Sequence, residues 1–153
     1  MKIAIVSDTH NNWANFKKII GWLNSEKISL ILHCGDIFSQ EFISESEKEF
    51  KGEIKYVKGN ADYGLDIPAS GEVEFDGKKI AFAHFPREAR ALTRSGKYNI
   101  IFYGHTHRPW EEKAGSCRLV NPGEAAGQIN KATFAVYDAK TDNLELKILE
   151  KLE

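Results

Sequence analysis

The sequence is poor in the features that mark several classes of protein. Two cysteines, Cys34 and Cys117, among 153 residues are too few for a disulfide scaffold, and their spacing fits no metal motif. No apolar run approaches the ~18 residues that a membrane-spanning helix needs. The net charge is -1, from 21 Lys and Arg against 22 Asp and Glu, which does not suit a protein that grips a nucleic-acid backbone. We therefore expect neither a membrane nor a polymeric nucleic acid as a partner.

The composition is that of an ordinary globular protein. Hydrophobic residues make up 42% and charged residues 28%, and the length suits a single domain over residues 1–153. The apolar start of the chain turns polar at Ser7, too early for the apolar region of a signal peptide. Because two free cysteines also agree with a reducing compartment, we expect a cytoplasmic protein.

The first half of the chain alternates strand and helix patterns. Apolar residues recur at helical spacing from Trp13 to Leu23, with Asn11 or Asn12 available as the N-cap, and a weaker helix is predicted over 40–50. Short apolar runs before, between and after these helices predict buried strands over 3–6, 28–32 and 54–57. This order implies a parallel sheet with right-handed crossovers.

The second half has a different pattern. Asp76-Gly77 predicts a hairpin turn between two alternating segments, and Pro86 and Gly96 delimit a helix. A further buried strand is predicted over 100–103, and a closing antiparallel hairpin is predicted around 141–143. The predicted fold class is α/β, with two mixed β-sheets packed as a sandwich and flanked by helices.

Polar residues follow the predicted strands at their carboxyl ends. Ligands bind at that edge of a parallel sheet, and carboxylate, imidazole and amide groups are ligands of divalent metals. Taken alone, each of these residues has a simpler explanation: Asp8 is suited to cap a helix or a turn, and Asn60 is suited to a turn. The combination indicates a metal site, because all five histidines lie at or beside strand ends: His10, His33, His84, His105 and His107.

Five short motifs in order resemble the calcineurin-like metallophosphoesterases. They match the small single-domain bacterial and archaeal phosphodiesterases of that superfamily, which the retromer scaffold subunit of eukaryotes also resembles. The resemblance runs from residue 3 to about residue 126 and ends in the turn Asn121-Pro122-Gly123. The motifs are Asp8-x-His10, Gly35-Asp36, Gly59-Asn60, His84 and Gly104-His105-x-His107.

The resemblance implies two divalent metal ions that share one carboxylate. Manganese is the first choice, and iron, nickel or zinc also suit the ligands. Asp36 would bridge the two ions. The first ion would be held by Asp8, His10, Asp36 and His107, and the second by Asp36, Asn60, His84 and His105.

The implied reaction is hydrolysis of phosphodiester bonds, or of phosphomonoester bonds, in small organic phosphates or nucleotides. A hydroxide that bridges the metals would attack phosphorus, and Asp36, Asn60 and His84 would act through the metals. The charge balance of two divalent ions with two aspartates favours an anionic substrate. Serine-hydrolase chemistry is not indicated, because the chain has no Gly-x-Ser-x-Gly motif.

Two departures from the family pattern bear on the reaction. Ala61 stands where many larger relatives have a histidine thought to protonate the leaving group, which favours diesters with good leaving groups. Phe85-Pro86 stands where small relatives often have Gly-His, so the substrate preference cannot be carried over. His33 and Asp62 lie beside predicted ligands and are candidates for orienting the imidazoles or metal-bound water. The alternative for His33 is a histidine packed at a strand end.

Two other functions stay open at this point. One is a scaffold or protein-interaction module that keeps the metallophosphoesterase fold, and the other is a metal-binding protein without turnover. A scaffold has no physical need for seven ligands, yet all seven positions carry competent residues, which favours the enzyme. Relatives form oligomers, so a homo-oligomer is possible by analogy.

Overall fold

Residues 1–152 form two five-stranded β-sheets. The first sheet is built from strands near the start and near the end of that range. The structure, a computed structural model, describes residues 1–152. The strands of this first sheet are β1 (Lys2–Val6), β2 (Leu30–His33), β3 (Glu53–Tyr56), β9 (Thr133–Asp138) and β10 (Asn143–Ile148). Their order is β10-β9-β1-β2-β3, with β1, β2 and β3 parallel and β9 antiparallel to both of its neighbours.

The second sheet is built from the middle of the chain. Its strands are β4 (Ser70–Phe75), β5 (Lys78–Ala83), β6 (Ile100–Phe102), β7 (Trp110–Ala114) and β8 (Cys117–Asn121). Their order is β4-β5-β6-β8-β7, with β5, β6 and β8 parallel. The outer strands β4 and β7 pair antiparallel with β5 and β8, which makes this sheet mixed as well.

Three α-helices cover the outer faces of the two sheets. They are α1 (Trp13–Ser25), α2 (Gln40–Glu49) and α3 (Pro86–Thr93), and a short 3₁₀ helix follows β10 at Leu149–Lys151. Asn12 caps α1 by accepting a hydrogen bond from the backbone N–H of Asn15 at 3.1 Å. Ser39 caps α2 in the same way, and Pro86 begins α3 at the position that proline favours.

The alternating direction of side chains along the strands explains the four layers. In β1, Ile3 and Ile5 point into the cluster between the two sheets, whereas Ala4 and Val6 point into the cluster under α1 and α2. A third cluster lies between the second sheet and α3, around Ile101. A strand buried on both faces must be apolar throughout, which is why these short runs were visible in the sequence. The predicted fold class, two mixed sheets packed as a sandwich and flanked by helices, is confirmed.

The hairpin of β7 and β8 was not predicted. Its first strand carries the polar segment Glu111–Lys113 and lies at a sheet edge, where one side of the backbone has no neighbouring strand. An edge strand exposed to water needs no apolar alternation, so its sequence resembles that of a loop. Within residues 1–152, no helix combines the length and apolar character that crossing a membrane requires. The single domain over 1–153 and the cytoplasmic location stay predictions.

The ring of Phe16 is central to the cluster under the helices. It is fully buried and stacks on Phe42 with ring centroids 5.5 Å apart. We expect Phe16→Ala to lower the free energy of unfolding by about 3–5 kcal/mol, because it leaves a cavity in a packed core. Urea denaturation measures this. The control Tyr63→Ala, at a side chain that is 95% exposed, should change the free energy by less than about 0.5 kcal/mol.

Candidate metal centre

Five loops meet at one edge of the sandwich, each at the carboxyl end of a strand. They follow β1, β2, β3, β5 and β6 in the two sheets. Parallel strands end at the same edge, so residues far apart in sequence come together there. The structure brings all seven predicted metal ligands to this edge: Asp8, His10, Asp36, Asn60, His84, His105 and His107.

The first group of donors consists of two aspartates and two histidines. Asp8, His10, Asp36 and His107 each offer one ligand atom, and the four atoms lie within 4.8 Å of one another. The Nε2 atoms of His10 and His107 are 3.2 Å apart. Asp8 Oδ1 lies 3.5 Å from His10 Nε2 and 3.4 Å from His107 Nε2. Four donor atoms thus converge on one small volume.

The second group shares Asp36 with the first. Asn60 Oδ1 lies 3.0 Å from His84 Nε2 and 3.2 Å from His105 Nδ1. His84 Nε2 also lies 3.4 Å from Asp36 Oδ2, the same oxygen that lies 3.3 Å from His10 Nε2. His84 Nδ1 is 2.8 Å from the backbone oxygen of Cys34, which fixes the ring and leaves Nε2 facing the group.

Backbone strain is concentrated at these donors. Left-handed φ angles cost a residue other than glycine about 1–3 kcal/mol and persist only where the surroundings enforce them. Asp and His tolerate this region better than most residues. Five of the seven predicted ligands adopt it: Asp8 (φ 55°), His10 (42°), Asp36 (62°), His105 (72°) and His107 (64°).

Asp62 holds two of the loops through their backbones. Its Oδ2 accepts hydrogen bonds from the N–H groups of Asp36 at 2.9 Å and Gly59 at 2.8 Å. Its Oδ1 accepts from those of Ile37 at 2.7 Å and Phe38 at 2.8 Å. The carboxylate therefore ties the loop after β2 to the loop after β3, and it reaches the donors through the backbone rather than through an imidazole.

His33 also supports the loops rather than the donor side chains. It is fully buried, its Nδ1 accepts a hydrogen bond from the Gly35 N–H at 3.1 Å, and its Nε2 lies 3.1 Å from Thr9 Oγ1. Burial lowers the pKa of His33 to about 4, so the ring is neutral near pH 7 and donates from Nε2. This placement matches the alternative that the sequence left open, a histidine packed at a strand end.

Glu124 is a residue of the centre that the sequence analysis missed. It is fully buried after β8, and its Oε1 lies 3.2 Å from His107 Nδ1, on the far side of that ring from the first group. Burial opposes its charge, but hydrogen bonds from the backbone N–H groups of residues 128–130 hold the pKa of Glu124 below its usual value. The available signal was its position, directly after the turn that closes the family resemblance.

At two positions near the aspartates, only glycine leaves enough space for the neighbouring loop. A Cβ at Gly104 would overlap Ser7 Oγ and lie 2.7 Å from Asp8 Oδ2, and a Cβ at Gly59 would overlap the Asp36 carboxylate. Ser7 itself donates a hydrogen bond of 2.7 Å to Asp8 Oδ2. The loops can approach the aspartates this closely only because these positions carry no side chain.

The charges at this edge favour a bound cation. Hydrogen bonds to Asp36 and then to Asp8 raise the pKa of His10 to about 10, so positive charge is strongly attracted to the first group. Burial opposes ionisation of Asp36, but hydrogen bonds from His10 and His84 hold the pKa of Asp36 well below its usual range. Two buried carboxylates next to each other need such compensation.

The donor set fits divalent metal ions. Asp8 Oδ1 is buried and accepts no hydrogen bond from residues 1–152, although it faces the first group. The oxygen of the Asn60 amide is 3.1 and 3.2 Å from the two carboxylate oxygens of Asp36, where only a donor or a cation is favourable. Carboxylate, amide and imidazole donors of this kind hold manganese, iron, nickel and zinc.

Fold and donor set together define the metallophosphoesterase class. The chain matches the calcineurin-like phosphoesterase superfamily domain over residues 1–142 and belongs to that superfamily. The predicted family is therefore confirmed. The family implies binding of divalent metal, and the group of Asp8, His10, Asp36 and His107 is a candidate site for it.

Similar proteins include archaeal phosphodiesterases and a vacuolar sorting protein. A phosphodiesterase of Methanocaldococcus jannaschii is 30% identical over 167 residues, which cover 98% of this chain and 100% of the relative. A solved archaeal phosphodiesterase superposes with a TM-score of 0.87 at 28% identity, over 97% of this chain and 99% of that one. Vacuolar protein sorting-associated protein 29 of Entamoeba histolytica, solved with Zn²⁺, has a TM-score of 0.76 at 21% identity, over 97% and 99% of the two chains. The similarity to the Entamoeba histolytica protein shows that the two chains share a fold.

The contact between Glu124 and His107 predicts an effect on metal affinity. We expect Glu124→Gln to weaken the binding of divalent metal about 10- to 100-fold, because partners of this kind orient a ligating histidine and raise its basicity. Calorimetric titration of chelator-treated protein with Mn²⁺ measures the change. Glu112→Gln removes a surface ion pair with Arg90 and serves as the control. Equal Mn²⁺ affinity in the wild type and Glu124→Gln would contradict the assigned role.

Proposed function

We propose that this protein is a metal-dependent phosphodiesterase that acts on small organic phosphates or nucleotides at a binuclear centre. The observation that carries the proposal is the position of Asp36, whose carboxylate belongs to both donor groups. One carboxylate can bridge two ions that are ~3.5–4 Å apart, the arrangement of two-metal hydrolases. Membership of the phosphoesterase superfamily and the 30% identity to an archaeal phosphodiesterase support the same reaction.

The two donor groups have distinct assignments in this proposal. Asp8, His10, Asp36 and His107 would hold the first ion, and Asp36, Asn60, His84 and His105 the second. Asp36, Asn60 and His84 are the residues through which this chain acts on the reacting phosphate. When bound, divalent ions lower the pKa of a water molecule and neutralise charge on phosphate oxygens. Manganese is our first choice, and iron, nickel and zinc suit the same donors.

The chain prepares this edge for an anionic substrate by fixing its donors in advance. His84 is held by the Cys34 backbone oxygen, and Asp36 by the Ala61 N–H at 2.8 Å and by the two imidazoles. Donors that are already oriented need little reorganisation when charge develops in the transition state. Asn60 adds a neutral oxygen, which limits the negative charge that a phosphate ester would meet.

Protonation of the leaving group limits the substrate. Ala61 follows Asn60 and offers no proton, and its backbone N–H is already bonded to Asp36. The leaving group would therefore take its proton from water or from another residue, or depart as a stable anion. Diesters with good leaving groups should react fastest, and phosphomonoesters are a secondary possibility.

A scaffold or protein-interaction module is the alternative function. It is supported by the fold shared with vacuolar protein sorting-associated protein 29, a protein that is itself solved with Zn²⁺. A scaffold would bind metal without turnover, so metal binding alone does not separate the two functions. Hydrolysis by the metal-loaded protein does.

Restoration of activity by metal tests the proposal. Chelator-treated protein should not hydrolyse bis(p-nitrophenyl) phosphate, and titration with Mn²⁺, Ni²⁺, Zn²⁺ or Mg²⁺ should restore turnover by at least one of these ions. Asp36→Asn should lower the restored rate at least about 100-fold, because it removes charge from both donor groups. Metal content is measured in parallel by mass spectrometry.

The control for this experiment is Asp76→Asn. Asp76 lies in the turn between β4 and β5 and, like Asp36, has a left-handed backbone that asparagine tolerates. It should retain wild-type activity. Near wild-type turnover in a metal-analysed sample of Asp36→Asn would exclude the two-metal mechanism, and two bound metals without any turnover would favour the scaffold.

A further inference from the structure

An aromatic ring lies directly against the second donor group. Phe85 follows His84 in the chain, and its ring centroid is 4.8 Å from that of His84 and 4.9 Å from that of His105. The Phe85 side chain is half-buried, whereas His84 is fully buried and His105 is exposed. The ring therefore forms an apolar wall beside the polar donors, and part of that wall can be reached from solvent.

Exposed apolar side chains are concentrated around the same edge. The described part of the chain, residues 1–152, exposes six large hydrophobic side chains. Three of them lie in loops that follow β2, β3 and β8, and a fourth begins β7 opposite the end of β8. These four are Phe38, Tyr63, Trp110 and Ile129. Apolar residues exposed together mark binding surfaces more often than residues scattered singly. We call Phe85 and these four residues the apolar rim.

Phe38 is held at the apolar rim by a strained backbone. Its φ angle of 112° lies outside the regions that side-chain-bearing residues usually occupy, and its side chain is 54% exposed. The Asp62 carboxylate holds the residue in place by accepting a hydrogen bond from its N–H at 2.8 Å. Internal packing does not explain an exposed ring at such a position, two residues after Asp36. A ligand that contacts it would.

We propose that the substrate of this site is a phosphodiester that carries a flat aromatic group, and that Phe85 contacts this group. The inference rests on the proposed function, which places the phosphate at the donor groups. The organic group of an ester is joined to phosphorus through a single oxygen and must lie within a few ångströms of the donors. On the His84 and His105 side, the Phe85 ring is an apolar surface whose centroid lies within 5 Å of both imidazole centroids. Nucleoside and simple aryl phosphodiesters share the required chemistry.

Binding of phosphomonoesters tests this with a readout other than the rate of diester hydrolysis. Calorimetry of the Mn²⁺-loaded protein compares inorganic phosphate, cyclohexyl phosphate and phenyl phosphate. The last two have similar size, but only phenyl phosphate has an aromatic face. We expect phenyl phosphate to bind about 3- to 10-fold more tightly than cyclohexyl phosphate.

Thymidine 5′-monophosphate separates the two sources of the aromatic group: tighter binding than phenyl phosphate indicates a nucleoside, and weaker binding indicates a simple aryl ester.

Three variants separate contact with the ligand from support of the histidines. Phe85→Leu keeps an apolar side chain and removes the ring, so the preference for phenyl over cyclohexyl phosphate should fall to within about 2-fold, while inorganic phosphate binds as in the wild type. Phe85→Trp should retain the preference. Phe75→Leu changes a half-buried phenylalanine near the opposite end of the second sheet and should leave all affinities unchanged.

The outcomes separate this inference from the proposed function. Equal binding of phenyl and cyclohexyl phosphate in the wild type, or a phenyl preference that survives in Phe85→Leu, would overturn the inference alone. A parallel loss of inorganic phosphate binding in Phe85→Leu would also overturn it, because Phe85 would then only support the histidines. If the Mn²⁺-loaded wild type fails to bind inorganic phosphate, the proposed function fails, and this inference fails with it.

Discussion

The buried negative charge of Asp36 is the constraint on which the rest of the centre depends. Its side chain is almost fully buried between two sets of donors, and the equally buried Asp8 carboxylate faces the first set with it. Two carboxylates removed from water cost several kcal/mol each unless positive charge or hydrogen bonds compensate. The surrounding features supply that compensation: imidazoles within 3.5 Å, an N–H from Ala61, and a donor geometry suited to divalent cations. The fold thus places two buried carboxylates at this edge before any metal ion is bound.

Such a site needs a rigid frame, and the two sheets provide it. Four of the five loops follow strands that end in buried residues, β1, β2, β5 and β6, so the starts of these loops are fixed by core packing. The strained backbones of Asp8 and Asp36 are then held by hydrogen bonds that their own N–H groups donate, to the Gly35 carbonyl and to the Asp62 carboxylate, each at 2.9 Å. Asp62 links the loops after β2 and β3, and the Glu124 carboxylate lies 3.2 Å from His107 Nδ1 on the opposite side of that ring. Strain of this size persists only because the core makes a relaxed loop unavailable.

The sequence was informative where one physical requirement acted on a short segment. Strands buried on both faces had to be continuous apolar runs, and candidate metal ligands had to be Asp, Asn or His at strand ends. The sandwich and the convergence of the seven candidate ligands at one edge could therefore be predicted. The edge strand β7 escaped prediction because water, not a core, faces its polar residues. Glu124 escaped because its contact with His107 spans separate loops and leaves no local pattern. His33 was ambiguous for a related reason: the difference between orienting a ligand and bracing a backbone is set by the neighbours Thr9 and Gly35 in space.

The candidate metal ligands would contact the phosphate of a substrate, whereas the residues around them would contact its organic group. Family membership therefore predicts the reaction better than the substrate. Every phosphodiester presents two non-bridging oxygens that share one negative charge, so the seven candidate ligands face the same demand whatever organic groups the diester carries. In the proposed site, the apolar rim would contact such an organic group rather than the phosphate. Phe85 lies where these two zones meet, with its ring against His84 and His105 and its exposed part toward solvent. A side chain in that position can change which ester is preferred while the reaction stays the same, so the substrate must be inferred from the rim of this particular chain.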